Sequence, residues 1–169
     1  MSGELSPALA EQLARVEAST DGICEYRPCR VTLRGGATHD RVYVVERESY
    51  LRAWGVLPES DCGKESVSPA DVVAIESSHA RLPAQLATKL YAAGESGMGY
   101  VIFTLVLADG SLVPCVTGNA VDFPPYPAGV DASAVVDVIP HEGRELLGRQ
   151  VARSGRVQYA WCVYRSSEA

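Results

Sequence analysis

Leu9, Leu13 and Val16 recur at i, i+4 and i+7 behind Ser6-Pro7, a spacing that puts three apolar side chains on one helical face. A serine oxygen can accept a bond from a free first-turn amide, and proline there loses no amide bond. A helix is therefore predicted from Pro7, ending near Asp21-Gly22. The texture then changes. "CRVTLRGGATHDRVYVVE", from Cys29 to Glu46, has two β-rich runs around a Gly-Gly turn and predicts an antiparallel hairpin. "ESYLRAW" predicts a short helical turn, "GVLPESDCGKESVSP" a polar surface loop without periodicity, and "DVVAIES" a short strand.

The second half repeats this alternation. Leu82, Leu86 and Leu90, four apart, mark an amphipathic helix that Gly94 terminates past its last turn. "GYVIFTLVLADGSLVPCVTG" predicts a long apolar strand, a turn at Asp109-Gly110 and a return strand. "FPPYPAG" is a proline-fixed loop, "AVVDVIP" a third strand and "GRELLGRQVA" a short helix. In "RVQYAWCVY", Val157, Tyr159, Trp161 and Val163 alternate onto one face, predicting a strand docked on the core.

The halves echo each other. "VTL", a glycine turn, "RVYVV", a loop and "ADVVAIESS" are followed later by "FTL", Asp-Gly, "SLVPCV", a proline loop and "SAVVDVIPH". The predicted fold is α+β in a single domain, 1–169: a mostly antiparallel sheet arranged as two related β-meanders, joined by a central helix and flanked by helices near both ends. The related halves span 23–80 and 99–142. The order of these short runs resembles small SH3-like barrels; the resemblance implies half-barrels and fixes no function.

Composition adds limits. In 169 residues, 47% hydrophobic and 21% charged, there is enough apolar content for a real core, and disorder is not the expectation. Fifteen Lys and Arg against 21 Asp and Glu leave a net charge of -6, which repels nucleic acid and anionic membrane unless bases cluster. Arg144, Arg149, Arg153 and Arg156 are the candidates, and their spacing reads as a solvated helix face. The most apolar run, "YVIFTLVLA", stops at Asp109-Gly110, short of the roughly 18 residues that a membrane helix needs. The first residues carry acids and no apolar signal core, so the expected location is cytoplasmic. Five cysteines are an odd set for a reducing compartment and read mostly as small core residues.

The segment "AAGESGMGYVIF", Ala92 to Phe103, raises the sharpest chemical question. A phosphate-holding glycine loop runs strand, loop, helix, so that amides and the positive helix end face the anion. Here a predicted helix precedes the loop and turns its carbonyl end toward it. Gly94, Gly97 and Gly99 miss the G-x-G-x-x-G spacing, no lysine follows, and Met98 stands where a nucleophile elbow after Ser96 requires glycine. What remains is a helix exit and sharp corner, with Glu95 and Ser96 as polar groups on it for a cationic or hydroxyl-bearing ligand.

Other candidates are dispersed. His79 and His141 each follow a predicted strand, and with Glu142 or Glu95 they outline an acid-base or divalent-metal site. Cys24 and Cys29, with His39 and Cys62 downstream, are one loose pair where structural zinc shows two compact ones. Cys115 and Cys162 fall within predicted strands. Phe123 and Tyr126 sit among three prolines, as a partner surface, a pocket rim or a cover for the sheet. Tyr26, Arg27 and Tyr43 are not interleaved as single-strand nucleic-acid binding requires.

Two function classes stay open. The favoured one is a non-enzymatic ligand-binding or protein-interaction module using Glu95, Ser96, Phe123 and Tyr126, with no cofactor and a protein or small-molecule partner. The other is a small metal-assisted or hydrolytic enzyme using His79, His141 and a glutamate. A homo-oligomer is compatible with both.

Overall fold

A computed structural model describes residues 3–145 and 157–166. Along them run α1 (Pro7–Ala14), β1 (Ser19–Asp21), β2 (Cys24–Leu33), β3 (Thr38–Glu46), α2 (Arg47–Trp54), β4 (Glu65–Ser66), β5 (Val72–Ser77), α3 (Ala84–Ala93), β6 (Val101–Leu107), β7 (Leu112–Thr117), β8 (Val135–Pro140) and β9 (Ala160–Tyr164). Short 3-10 turns cover Pro58–Ser60, Pro69–Asp71 and Ala132–Ala134. The architecture is α+β with two mostly antiparallel sheets. Backbone contacts divide the chain into two compact units: Met1–Ser78 with Gln158–Ala169, and His79–Val157. No described helix is long and apolar enough to cross a membrane.

In the first unit Ser6 Oγ accepts from Leu9 N at 3.3 Å, and Leu9 and Leu13 are buried. α1 stops at Ala14 rather than near Asp21-Gly22, because Ser19–Asp21 is drawn into pairing with β2. β2 and β3 form the expected hairpin, and β5 returns antiparallel along the other side of β2. The sheet order is β1-β2-β3-β9-β4. β9 lies between β3 and β4 and runs parallel to both. The alternation in its sequence predicts one buried face; instead Ala160, Trp161, Cys162 and Val163 are all buried, as an interior strand covered on both faces requires. The segment expected to be a plain loop holds the turn Pro58–Ser60 and β4. Two residues are too few to show a period.

In the second unit the sheet order is β7-β6-β8. Leu82, Leu86 and Leu90 are buried as their spacing predicts, and pack with Phe103, Leu105 and Val138. Gly94 ends α3 at φ +78, its N–H donating to Tyr91 O at 3.1 Å. The helix predicted over "GRELLGRQVA" lies, beyond Glu145, outside the described residues, as do Arg149, Arg153 and Arg156.

Each unit contains a helix, a hairpin, a 3-10 turn and a third strand antiparallel to the hairpin's first, with the helix packed on that third strand: α1 on β5, α3 on β8. Leu33 N donates to Ala37 O and Gly36 N to Leu33 O, both at 2.8 Å; Leu107 N donates to Ser111 O and Gly110 N to Leu107 O, both at 2.9 Å. Arg34 N to Asp71 O and Ala108 N to Ala134 O are each 2.8 Å. The third strand slips register at one place in each, between Thr32 and Leu33 and between Val106 and Leu107. Even the helix-to-strand tie is matched in position. Gln12 Oε1 accepts from Ile75 N at 2.8 Å, while Asp137 Oδ1 accepts from Val138 N and from Lys89 Nζ, each at 2.8 Å.

Candidate functional site

The glycine segment 94–100 runs from α3 into β6, so the helix's carbonyl end meets it and the anion-site geometry is absent. Ser96 is the node of this corner. Its Oγ accepts from Ile102 N at 2.8 Å and lies 2.7 Å from His141 Nδ1. His141 Nε2 lies 3.0 Å from Ala93 O. A carbonyl only accepts, so Nε2 carries a proton; in the neutral ring Nδ1 is then an acceptor for the Ser96 hydroxyl, which also lies 3.3 Å from Ile102 O as a donor. His141 sits at φ +64, the one described non-glycine residue with positive φ. Arg144 Nη2 donates to Ser96 O at 3.0 Å and Nη1 to Tyr100 Oη at 3.3 Å, while Glu95 Oε2 accepts from Gly99 N at 3.2 Å. A Cβ at Gly97 would stand 2.3 Å from the Tyr100 ring, so a larger residue there displaces that ring. Ser96 and Glu95 thus each spend acceptor capacity on the corner's own backbone.

A different constellation forms in the first unit. Tyr50 and Trp54 stand one turn apart on α2, their rings stacked with centroids 6.1 Å apart. Glu46 caps that helix through Oε2, which accepts from Ser49 N at 2.9 Å. Trp161 of β9, 1% exposed, meets Tyr50 at 5.1 Å and Trp54 at 5.3 Å, and stacks on Tyr43 at 4.7 Å. Into this group reaches Lys64. Its Nζ lies 3.8 Å from the Trp54 ring centre, 5.5 Å from that of Tyr50 and 5.9 Å from that of Trp161. It donates to Tyr50 Oη at 3.1 Å and pairs with Asp61 Oδ2 at 2.9 Å. The ammonium thus lies against the Trp54 ring, beside the Tyr50 hydroxyl and the Trp161 ring, and next to one carboxylate, and an aromatic ring's negative face attracts such a charge. Burial first, and then the nearby Asp61, raises the Tyr50 phenol above its ordinary pKa. Trp54 Nε1 donates to Tyr26 Oη at 3.2 Å, and the buried Trp161 Nε1 has no hydrogen-bond partner among the described residues.

The other sequence candidates fall elsewhere. Exposed His79 helps to hold the Asp131 carboxyl below its usual range, an effect owed mainly to hydrogen bonds from Ser133. His141 is engaged with Ser96 and Ala93, and exposed Glu142 offers its backbone carbonyl to Thr104 Oγ1 at 3.2 Å. Phe123 is 3% exposed and Tyr126 packs against the second unit's core, so the proline loop turns these aromatics inward. Among the described residues no three His, Cys, Asp or Glu side chains are grouped to hold a metal ion. Cys24 and Cys29 are buried in β2, His39 is in β3 and Cys62 is exposed.

Comparison with known protein families, curated proteins and solved structures finds no match. The site therefore rests on its own geometry. Sequence reasoning missed the aromatic group, although one local signal was present: Tyr50 and Trp54, i and i+4 on a helix, are two large rings on one face. Trp161 and Lys64 reach them only through the pairing of β9 with β3 and β4.

Proposed function

We propose that the chain is a binding module, built from two copies of one helix, hairpin and strand unit, whose first copy receives an ammonium-bearing ligand on Tyr50, Trp54 and Trp161. The observation that carries this reading is the ammonium already seated there, 3.8 Å from the Trp54 ring centre and 2.9 Å from Asp61. The matched turn bonds and the matched register slips support the two-copy reading. Each copy corresponds in this view to one SH3-like half-barrel. Thermal unfolding with tetramethylammonium chloride against sodium chloride at equal ionic strength tests the function, because a ligand that binds only the native state raises its apparent stability. The organic cation is expected to raise Tm beyond sodium in the wild-type chain or in Lys64→Gln, and not in Trp54→Ala. Equal effects of the two salts in both chains with intact rings overturn the reading.

A second reading, hydrolysis with Ser96 as nucleophile and His141 as its base, rests on the 2.7 Å contact between them. Ser96 is half-buried and its oxygen also accepts from Ile102 N. Incubation with a fluorophosphonate probe decides this reading. A covalent adduct on Ser96 that is lost in His141→Ala supports it, and an unmodified chain rejects it.

A further inference from the structure

We infer that Lys64 is a built-in competitor for the aromatic box, and that the ligand is a methylated, net-cationic ammonium which displaces it. This rests on the cation-binding reading above. A primary ammonium is a compact, strongly hydrated charge, so removing it from water to lie against rings costs more than removing a methylated one, whose methyl groups also bury apolar surface on those rings. Lys64 is nevertheless only 19% exposed at its side chain, and its other partner, Asp61, belongs to the same short segment three residues earlier. Lys64 and Asp61 therefore form a local pair that can leave the rings together or part. When the lysine withdraws, it vacates the Trp54 ring and the Tyr50 hydroxyl and leaves the Asp61 carboxylate, 34% exposed, to neutralise an incoming cation. Gly63, in the left-handed region at φ +89, stands between Asp61 and Lys64, and Gly55, at φ +77, ends α2 ahead of them.

The surroundings select the ligand's net charge. Glu59 and Asp61 both act on the Tyr50 hydroxyl, and exposed Glu65 opens β4 immediately after Lys64. No basic side chain other than Lys64 is placed on the three rings among the described residues. A phosphate attached to the ammonium would meet these carboxylates and be repelled, so choline fits and phosphocholine does not.

Calorimetric titration of tetramethylammonium, choline and phosphocholine into the wild-type chain, Lys64→Gln and Lys64→Arg tests the inference, with circular dichroism confirming the fold of each. Removing the competitor is expected to tighten tetramethylammonium binding about tenfold in Lys64→Gln. Lys64→Arg, whose planar guanidinium stacks better on rings, is expected to weaken it relative to wild type. Phosphocholine is expected to bind more weakly than choline in every chain. Equal affinities across the three chains overturn the competition and leave the cation-binding reading standing. Absence of binding in all three overturns both, and phosphocholine binding as tightly as choline overturns the charge selection. Should Lys64→Gln misfold, the comparison of Lys64→Arg with wild type decides alone.

Discussion

Asp122 is a buried acid with no exposed surface, at the start of the proline loop of the second unit. Its Oδ2 accepts from Tyr91 Oη at 2.5 Å, and its Oδ1 lies 3.9 Å from Arg81 Nε, on a side chain 10% exposed. Tyr91 Oη in turn accepts from Val121 N at 3.2 Å, so the carboxylate ties α3 to the loop through one hydroxyl. Asp122→Ala takes the anion away from a guanidinium that stays out of water. Breaking such a pair from one side costs about 3–5 kcal/mol, a large part of the roughly 5–15 kcal/mol that holds a domain folded. Asp122→Asn keeps an acceptor for Tyr91 and loses only the charge, so it is expected to cost about 1–3 kcal/mol. Urea unfolding followed by far-UV circular dichroism is the assay; both tryptophans lie in the first unit, so their fluorescence does not report on this site directly. Asp122→Ala within about 1 kcal/mol of wild type would refute the pairing argument, since burial without a strong partner would then carry no penalty.

Gly143 sits at φ +101, and a Cβ there would stand 2.7 Å from Pro114 Cβ, whereas Gly36 at φ +87 has open space. Gly143→Ala is therefore expected to lower stability by about 2–4 kcal/mol and Gly36→Ala by about 1 kcal/mol, in the same urea assay; equal costs contradict the steric argument. Burial pushes the Cys115 and Cys162 thiols up from 9.0 to about 12. The unfolded chain loses these protons first, so the stability they contribute is whole below about pH 9 and falls as pH rises toward 12, by about 1.4 kcal/mol per pH unit for each thiol. Urea midpoints at mildly and strongly alkaline pH measure the drop, to which Cys24, Tyr26, Tyr50, Tyr159 and Tyr164, also raised by burial, add; Cys115→Ala should reduce it by one thiol's share, and a flat profile contradicts it. A thiol-specific chromogenic reagent should modify Cys62 rapidly in the native chain and the four buried cysteines only after unfolding.

The pattern of apolar positions was enough to locate α1, α3, the two hairpins and β8, because their signals are local: Leu82, Leu86 and Leu90 encode one helical face, and Asp109-Gly110 encodes a turn whatever the rest of the chain does. What stayed hidden is non-local. The parallel partnership of Val42 with Ala160 joins strands from opposite ends of the chain, and no periodicity in either strand names the other. β4 is two residues long and defined only by its neighbour β9. The candidate sites divide in the same way. Ser96 and His141 were legible as chemistry-bearing residues beside structural breaks, yet their 2.7 Å contact spans 45 positions and depends on β8 pairing with β6. The proline loop left a partner surface, a pocket rim and a cover for the sheet open, and the inward-turned Phe123, large and apolar enough to be drawn into the core, agrees with the last.

The central claim, that three rings of the first unit form a seat for an organic cation, is tested most directly by the indole resonances of a ¹⁵N-labelled chain. The protein has two tryptophans, and both belong to the box. Titration of Lys64→Gln with tetramethylammonium should move both indole cross-peaks saturably, while sodium at equal ionic strength leaves them in place. Indole peaks that ignore the organic cation, or that follow both salts equally, contradict the account.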